Sequence, residues 1–284
     1  MNPPSTFEQA VDAIVAGDLR TLERALLDVP ELIRARSTRE HQATLLHYVA
    51  ANGVEDERQK TPPNIVRIAE FLLDSGADVN ATAAMYGGKA TTIGLAATSI
   101  HPEKAGVQEA LMQLLLDRGA TLDPTLISAC LANGRSRAAE WLAEHGADID
   151  LEAAAGLGRL DRVQSLFDDN ENPRPPTTQL QLERGFLWAS EYGHNDVIEF
   201  LLQRGVPVNA AADTGQTALH WAVIGGQVET ITLLLSHGAN LEARNRYGGT
   251  ALGQAMWSHA HSNGGVNYRA AIDALLKAGA LPET

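Results

Sequence analysis

The chain has 284 residues, of which 44% are hydrophobic and 20% are charged, a balance that supplies a buried core and excludes a disordered chain. Aromatic residues make up only 5%, which suits packed helices better than a β-sandwich. The formal net charge of −13 disfavours nucleic acid and anionic lipid as partners, and it serves either solubility or the selection of a basic partner.

Cysteine content and the first residues bear on the compartment. Cys130 is the only cysteine, so no disulfide can form within the chain and a reducing compartment is expected, although a secreted chain can also lack disulfides. The first five residues lack the basic start and apolar run of a signal peptide. No segment approaches 18 apolar residues, so no membrane span is predicted. We therefore expect a cytoplasmic monomer.

A short phrase recurs along the chain. Leu-Leu-x-x-Gly-Ala or a near-copy occurs at Leu72–Ala77, Leu115–Ala120, Trp141–Ala147, Phe200–Val206, Leu234–Ala239 and Leu275–Ala280. The paired apolar residues place two groups on the inner side of a helix, and the glycine ends that helix in the left-handed conformation. Because one such helix pair cannot bury its apolar face alone, the pairs are expected to stack.

Alignment on this phrase predicts eight repeats within a single solenoid over residues 1–284. They begin near Glu8, Thr44, Thr91, Thr125, Ile149, Arg184, Thr217 and Thr250. Long polar connections at 35–43 and 80–90 are typical of β-turn fingers. The Pro-rich stretch 170–179 predicts a flexible joint between the fifth and sixth repeats.

Two of the repeats open with a recognisable motif. Thr217-Ala218-Leu219-His220 and Thr44-Leu45-Leu46-His47 resemble the Thr-Pro-Leu-His signature of ankyrin repeats, with the proline replaced in both. The resemblance, to ankyrin-repeat proteins of bacterial type, covers nearly the whole chain. It implies an all-α solenoid of stacked helix-turn-helix units with short β-turn fingers, in which His47 and His220 hydrogen-bond the turn region. It specifies the fold more closely than the function.

Three repeats carry insertions between their two helices. These fall at 54–64, 99–106 and 261–268. Two neighbouring repeats with long loops in the same place would stack those loops into one wall, and such insertions often mark a binding face. Drift in tolerated loops is the alternative.

In ankyrin-like repeats the first helix lines the concave side, where large aromatic residues can anchor a partner. The exposed positions follow the Thr-Pro-Leu-His phrase or precede the turn glycine. The predicted partner-binding residues are Tyr48, Asn52, Trp188, Glu191, Tyr192, Trp221 and Trp257. The alternative for each ring is packing over the neighbouring repeat.

No catalytic or metal-binding motif occurs in the sequence, so we expect no catalytic residue, metal or cofactor. One candidate ligand site combines fingers and insertions of repeats two and three: His41, Glu55, Tyr86 and His101. A His–Glu–Tyr set suits a polar ligand or acid–base chemistry. Fingers and inter-helix loops lie at opposite ends of the first helix, so sequence does not establish that these groups meet.

The predicted function is therefore a non-catalytic scaffold that binds a protein partner, through its groove and its insertions. The alternative is an enzyme or small-molecule-binding protein that uses repeats two and three.

Overall fold

The computed structural model describes residues 6–51, 55–261 and 266–282. The chain forms two compact units, Met1–Asp148 and Ile149–Thr284, called here the N-terminal and the C-terminal unit. Each is built from helices that pack in pairs along the chain, which confirms the predicted all-α class. In the described part of the chain, no helix is long and apolar enough to span a membrane.

The N-terminal unit contains eight α-helices among its described residues. They are α1 Thr6–Ala16, α2 Leu19–Asp28, α3 Ile65–Asp74, α4 Thr92–Thr98, α5 Ile100–Lys104, α6 Gln108–Asp117, α7 Leu126–Ala132 and α8 Ser136–Glu144. Three 3-10 helices span Pro30–Ile33, Leu45–Ala50 and Asp56–Arg58. The predicted finger at 80–90 contains two short antiparallel strands, β1 Thr82–Ala83 and β2 Ala90–Thr91, with Thr82 opposite Thr91.

The C-terminal unit is a row of four helix pairs in its described part. The helices are α9 Leu151–Gly156, α10 Leu160–Ser165, α11 Gln179–Tyr192, α12 Asn195–Gln203, α13 Ala218–Gly225, α14 Val228–Ser236, α15 Ala251–His261 and α16 Tyr268–Lys277. The first helices of the pairs lie side by side, because α11 packs against both α9 and α13, and α13 packs against α15. One apolar core runs along all four pairs.

The recurring leucine–glycine phrase accounts for this packing. Leu72 and Leu234 are fully buried, and the glycines that follow them, Gly76 and Gly238, have φ of 95° and 84°. A side chain at either glycine would strain this left-handed turn. The phrase therefore both fills the core and ends the second helix of each pair, as the sequence predicts.

His47 and His220 fasten each finger to the next repeat. In both histidines, Nδ1 accepts a hydrogen bond from the backbone N–H of the threonine three residues earlier. The distance is 3.1 Å from Thr44 and 3.2 Å from Thr217. Nε2 is then the donor, and it contacts the carbonyl oxygens of Ala90 at 3.2 Å and Gly249 at 3.1 Å. Desolvation lowers the pKa of His47 to about 4, so the ring is neutral and structural.

The sixth repeat departs from its expected start. Its first helix begins at Gln179 rather than near Arg184, because Thr178 and Gln181 form a capping box that satisfies the first free backbone N–H groups. The extra turn buries Leu182. The joint at 170–179 stays a prediction.

Candidate functional site

Two tryptophans on neighbouring first helices form an aromatic pair. Trp188 of α11 and Trp221 of α13 are half-buried, and their ring centroids lie 6.0 Å apart with planes inclined by 48°. They occupy corresponding positions in consecutive repeats, so the packing of α11 against α13 places one beside the other. The rings pack over the neighbouring repeat and still expose part of their surface.

A carboxylate flanks this pair on the side of α9. Nη1 of Arg184 lies 3.8 Å from Oε1 of Glu152, and this attractive charge favours the ionised carboxylate. Burial nevertheless raises the pKa of Glu152 above its ordinary value. Glu152 is therefore an acidic group that the fold has partly desolvated.

A second carboxylate, Glu191, lies one helical turn from Trp188 on α11. The backbone of Glu191 lies so close to Gly225 that a Cβ added to this glycine would be 2.9 Å from the Glu191 carbonyl carbon. The Glu191 carbonyl oxygen accepts a hydrogen bond from Nε2 of Gln227 at 3.1 Å. These contacts hold Glu191 against the end of α13, one turn beyond Trp221. Burial raises the pKa of Glu191 to about 7.

The other predicted groove residues lie elsewhere. Tyr192 follows on α11 and is half-buried. Trp257 of α15 is 61% exposed and stacks on His261 with centroids 4.6 Å apart. Asn52 lies outside the described residues.

Three of the predicted site residues, His41, Tyr48 and Glu55, meet in the interior of repeat two. Oε1 of Glu55 accepts a hydrogen bond from the Tyr48 hydroxyl at 2.7 Å and contacts Nε2 of His41 at 2.8 Å. Nδ1 of His41 accepts from the backbone N–H of Ala43 at 3.1 Å, so Nε2 is the donor to Glu55. All three side chains are buried.

Arginines complete this cluster. Oε2 of Glu55 lies 3.0 Å from Nη1 of both Arg39 and Arg58. Arg58, itself buried, also bonds Glu8 at 2.6 Å and Asp12 at 2.7 Å on α1. The insertion of repeat two is thereby fastened to the first helix of repeat one.

These contacts correct two expectations. Tyr48 is 2% exposed, so it is no groove residue, because the insertion covers it. His41 and Glu55 are also buried and fully engaged, so their geometry is that of a structural ion-pair network. Sequence reasoning missed Arg58 and Glu152, although an arginine within the acidic insertion and a glutamate in the first helix of repeat five were visible signals.

Tyr86 and His101 line a separate cleft of about 810 Å³ in the N-terminal unit. Tyr86 is 72% exposed at the finger tip. Nε2 of His101 contacts Oε1 of Gln59 at 3.0 Å, so the insertions of repeats two and three touch, as predicted. Lys89, Asp123 and Asn133 also line the cleft.

Metal and thiol chemistry find little support in the described ranges. No group of three histidine, cysteine or acidic side chains among these residues could hold a metal ion. Cys130 is buried, and desolvation raises the pKa of its thiol to about 12, so the thiolate needed for nucleophilic attack is scarce at neutral pH.

Family models match three stretches of the chain. A model of ankyrin repeats in three copies matches residues 151–245 and 186–283. A model of a single ankyrin repeat matches residues 41–84. The matches fall in both units.

Relatives of known name share the repeats over much smaller fractions of their own length. The ankyrin repeat and KH domain-containing protein mask-1 of Caenorhabditis elegans is 33% identical over 260 residues, which is 86% of this chain and 9% of that protein. Human palmitoyltransferase ZDHHC13 is 30% identical over 39% of this chain and 17% of its own length. Mouse 2-5A-dependent ribonuclease is 46% identical over 26% of this chain and 10% of its own length. The chain thus spans less than a fifth of each of these relatives.

Solved ankyrin-repeat domains also align with the chain. The human ASB11 ankyrin repeat domain aligns with a TM-score of 0.48 and 22% identity, over 96% of this chain and 99% of that one. The ankyrin repeat domain of Bcl-3 aligns with a TM-score of 0.41 and 20% identity, over 94% and 97%. Because the family models match stretches of both units and the helices repeat in pairs, we conclude that this chain belongs to the ankyrin-repeat family.

Proposed function

We propose that the chain is a non-catalytic scaffold that binds a protein partner along the first helices of its C-terminal unit. The observation that carries this proposal is the Trp188–Trp221 pair, whose half-buried rings lie side by side on adjacent repeats. Tryptophan is enriched among binding anchors, because it removes a large apolar area from water and loses few rotatable bonds.

Further exposed apolar residues extend this face. Trp257 and Met256 of α15 are both exposed, and α15 packs against α13, which carries Trp221. A partner that contacts α11 and α13 therefore has adjacent apolar surface within reach. A monomer in the cytoplasm is part of the same proposal.

Alanine substitutions test the anchors. Trp188→Ala and Trp221→Ala are each expected to weaken binding of a cross-linked and purified partner by about five- to 150-fold, which corresponds to the loss of about 1–3 kcal/mol expected for aromatic anchors. Affinity measurements with the purified partner give the result. Tyr247→Ala is the matched control, because this aromatic is 81% exposed on a turn outside the first helices. Unchanged affinity in both tryptophan variants would show that the partner binds elsewhere.

The cleft beside Tyr86 and His101 supports a second candidate function, the binding of a small molecule in the N-terminal unit. Its volume of about 810 Å³ lies within the range of small-molecule sites, and donors and acceptors line it. The His–Glu–Tyr cluster does not belong to it, because its buried side chains bond one another. The cleft alone therefore supports ligand binding rather than acid–base catalysis.

A further inference from the structure

The last repeat exposes a position in its first helix that the preceding repeats bury. Met256 of α15 corresponds to Val223 of α13, since each stands six residues after the threonine that opens its repeat. Val223 is fully buried, and so is the corresponding Ser190 of α11, whereas Met256 is 46% exposed. The position is therefore buried where another helix pair follows, and it is exposed in the pair that no described helix follows.

The second helix of the last repeat shows the same difference. Ile272 of α16 corresponds to Ile231 of α14 and Ile198 of α12, because each precedes the buried leucine of the recurring phrase by three residues. Ile231 and Ile198 are fully buried, whereas Ile272 is half-buried. Leu276, one helical turn later on the same side of α16, is 42% exposed. Since α15 and α16 pack against each other, we call Met256, Ile272 and Leu276 together the end face.

The packing of the earlier repeats indicates what kind of structure covers such a face. In the seventh repeat, α15 packs against α13 and α16 packs against α14, so a helix pair lies over the corresponding positions. A solenoid that ends in water needs a polar outer face on its last repeat. The end face is apolar instead, which favours association with another molecule. The precedent within the chain is a helix pair rather than an extended peptide.

The charges of α16 specify the covering helices further. Arg269, Asp273 and Lys277 are exposed on this helix, so two positive charges and one negative charge accompany the end face. Arg269 stands three residues before Ile272, which places it on the same side of the helix. A second copy of this chain would bring the same arginine and lysine to the contact. A helix with acidic residues would attract them instead.

We propose that the end face binds an amphipathic helix pair of the protein partner, whose second helix carries acidic residues opposite Arg269 and Lys277. The two helices lie against α15 and α16 as α15 and α16 themselves lie against α13 and α14. This inference rests on the proposed function and adds the structural class of the partner. The partner then extends the row of helix pairs that carries Trp188 and Trp221.

A peptide with the sequence of residues 217–249 tests the end face without the natural partner. Within the chain this segment forms the helix pair α13 and α14, which stacks on α11 and α12. Its two helices contain Glu229 and no lysine or arginine, so the peptide meets both requirements and folds as it binds. The control peptide carries Thr232→Pro, which breaks the second helix.

The methyl group of Met256 reports binding to the full chain, labelled with ¹³C at its methionine methyl groups. The other described methionines, Met85 and Met112, are buried, and Met256→Leu assigns the resonance. We expect the peptide to shift the Met256 resonance and to leave those of Met85 and Met112 in place. The control peptide is expected to shift none of them.

Leu276→Ser in the full chain is expected to weaken binding of the peptide about fivefold, because it removes an apolar side chain from the contact. Leu180→Ser is the matched control, since Leu180 is 52% exposed on α11, outside the end face. Thermal unfolding verifies that both variants fold. The peptide with Glu229→Lys is expected to bind about threefold more weakly than the original at low salt, because repulsion replaces attraction.

The outcomes separate the two proposals. An unmoved Met256 resonance, or equal affinities of Leu276→Ser and Leu180→Ser for the peptide, overturns the end face. A Met256 resonance that shifts with the concentration of the chain alone assigns the face to a second copy and overturns the proposal as well. If the tryptophan variants lose the purified partner and Leu276→Ser keeps it, binding on the first helices stands without the end face. The reverse result keeps the end face and overturns binding at the tryptophans.

Discussion

Glu55→Gln is expected to lower the free energy of unfolding of the N-terminal unit by about 3–5 kcal/mol at pH 7, the usual effect of removing one member of a buried ion pair. The substitution withdraws the charge that faces Arg58 and Arg39 at 3.0 Å. It also weakens the bonds to Tyr48 and His41. Denaturant unfolding, with hydrogen exchange of α1 and α3, measures the change.

Glu57→Gln is the matched control for this prediction. Glu57 lies in the same insertion and pairs with Arg39 at 3.6 Å, but its side chain is largely exposed. Exposed pairs contribute little, so we expect a change below about 0.5 kcal/mol. If the two substitutions lowered the free energy of unfolding equally, the buried ion pairs of Glu55 would contribute no more to stability than the exposed pair of Glu57.

The same carboxylate predicts a dependence on pH. Burial alone would raise the pKa of Glu55, but hydrogen bonds from Tyr48 and His41 and the charges of Arg39 and Arg58 outweigh it and lower the pKa. A depressed pKa stabilises the fold above the unfolded-state value of 4.5, and this contribution is lost as the pH falls through the folded-state pKa. The difference in the free energy of unfolding between the parent and Glu55→Gln should therefore become smaller below about pH 4.

Gly225→Ala is expected to destabilise the C-terminal unit by about 2–3 kcal/mol, because the added methyl group overpacks the contact between α11 and α13. A Cβ there would overlap the backbone carbonyl oxygen of Glu191 and lie 2.9 Å from its carbon. Backbone cannot rotate away as a side chain can, so the two helices must separate. The higher helix propensity of alanine, about 1 kcal/mol, offsets only part of this cost.

Gly94→Ala in α4 is the control for Gly225→Ala. A Cβ there meets only side-chain atoms, Oγ1 of Thr91 at 3.2 Å and Cδ1 of Leu126 at 3.9 Å, which can adjust. We expect little loss of stability in this variant. Hydrogen exchange should show faster opening of α11 and α13 in Gly225→Ala alone, and unchanged exchange there would contradict the close packing.

The fold was predictable because its determinants are local and repeated. The phrase that buries Leu72 and Leu234 recurs from repeat to repeat, and its glycine ends the second helix of the pair. The roles of His47 and His220 followed from the resemblance of their motifs to the ankyrin Thr-Pro-Leu-His signature. The adjacency of Trp188 and Trp221 was implied by their equal positions in consecutive repeats.

The details of the sites depend on contacts between distant residues. Tyr48 stands at the position of Trp188 and Trp221, yet the insertion of its own repeat covers it, and no local pattern reports this. The pairing of Arg58 with Glu8 and Asp12 joins residues of different repeats. The desolvation of Glu191 arises only from the packing around it.

The central claim is that a protein partner binds on the first helices of the C-terminal unit. Hydrogen exchange of the full chain, with and without the purified partner, tests it most directly. The claim predicts protection of α11 and α13 that disappears in the Trp188→Ala, Trp221→Ala double variant. Protection confined to the residues of the cleft around Tyr86 and His101, with α11 and α13 unchanged, would contradict it.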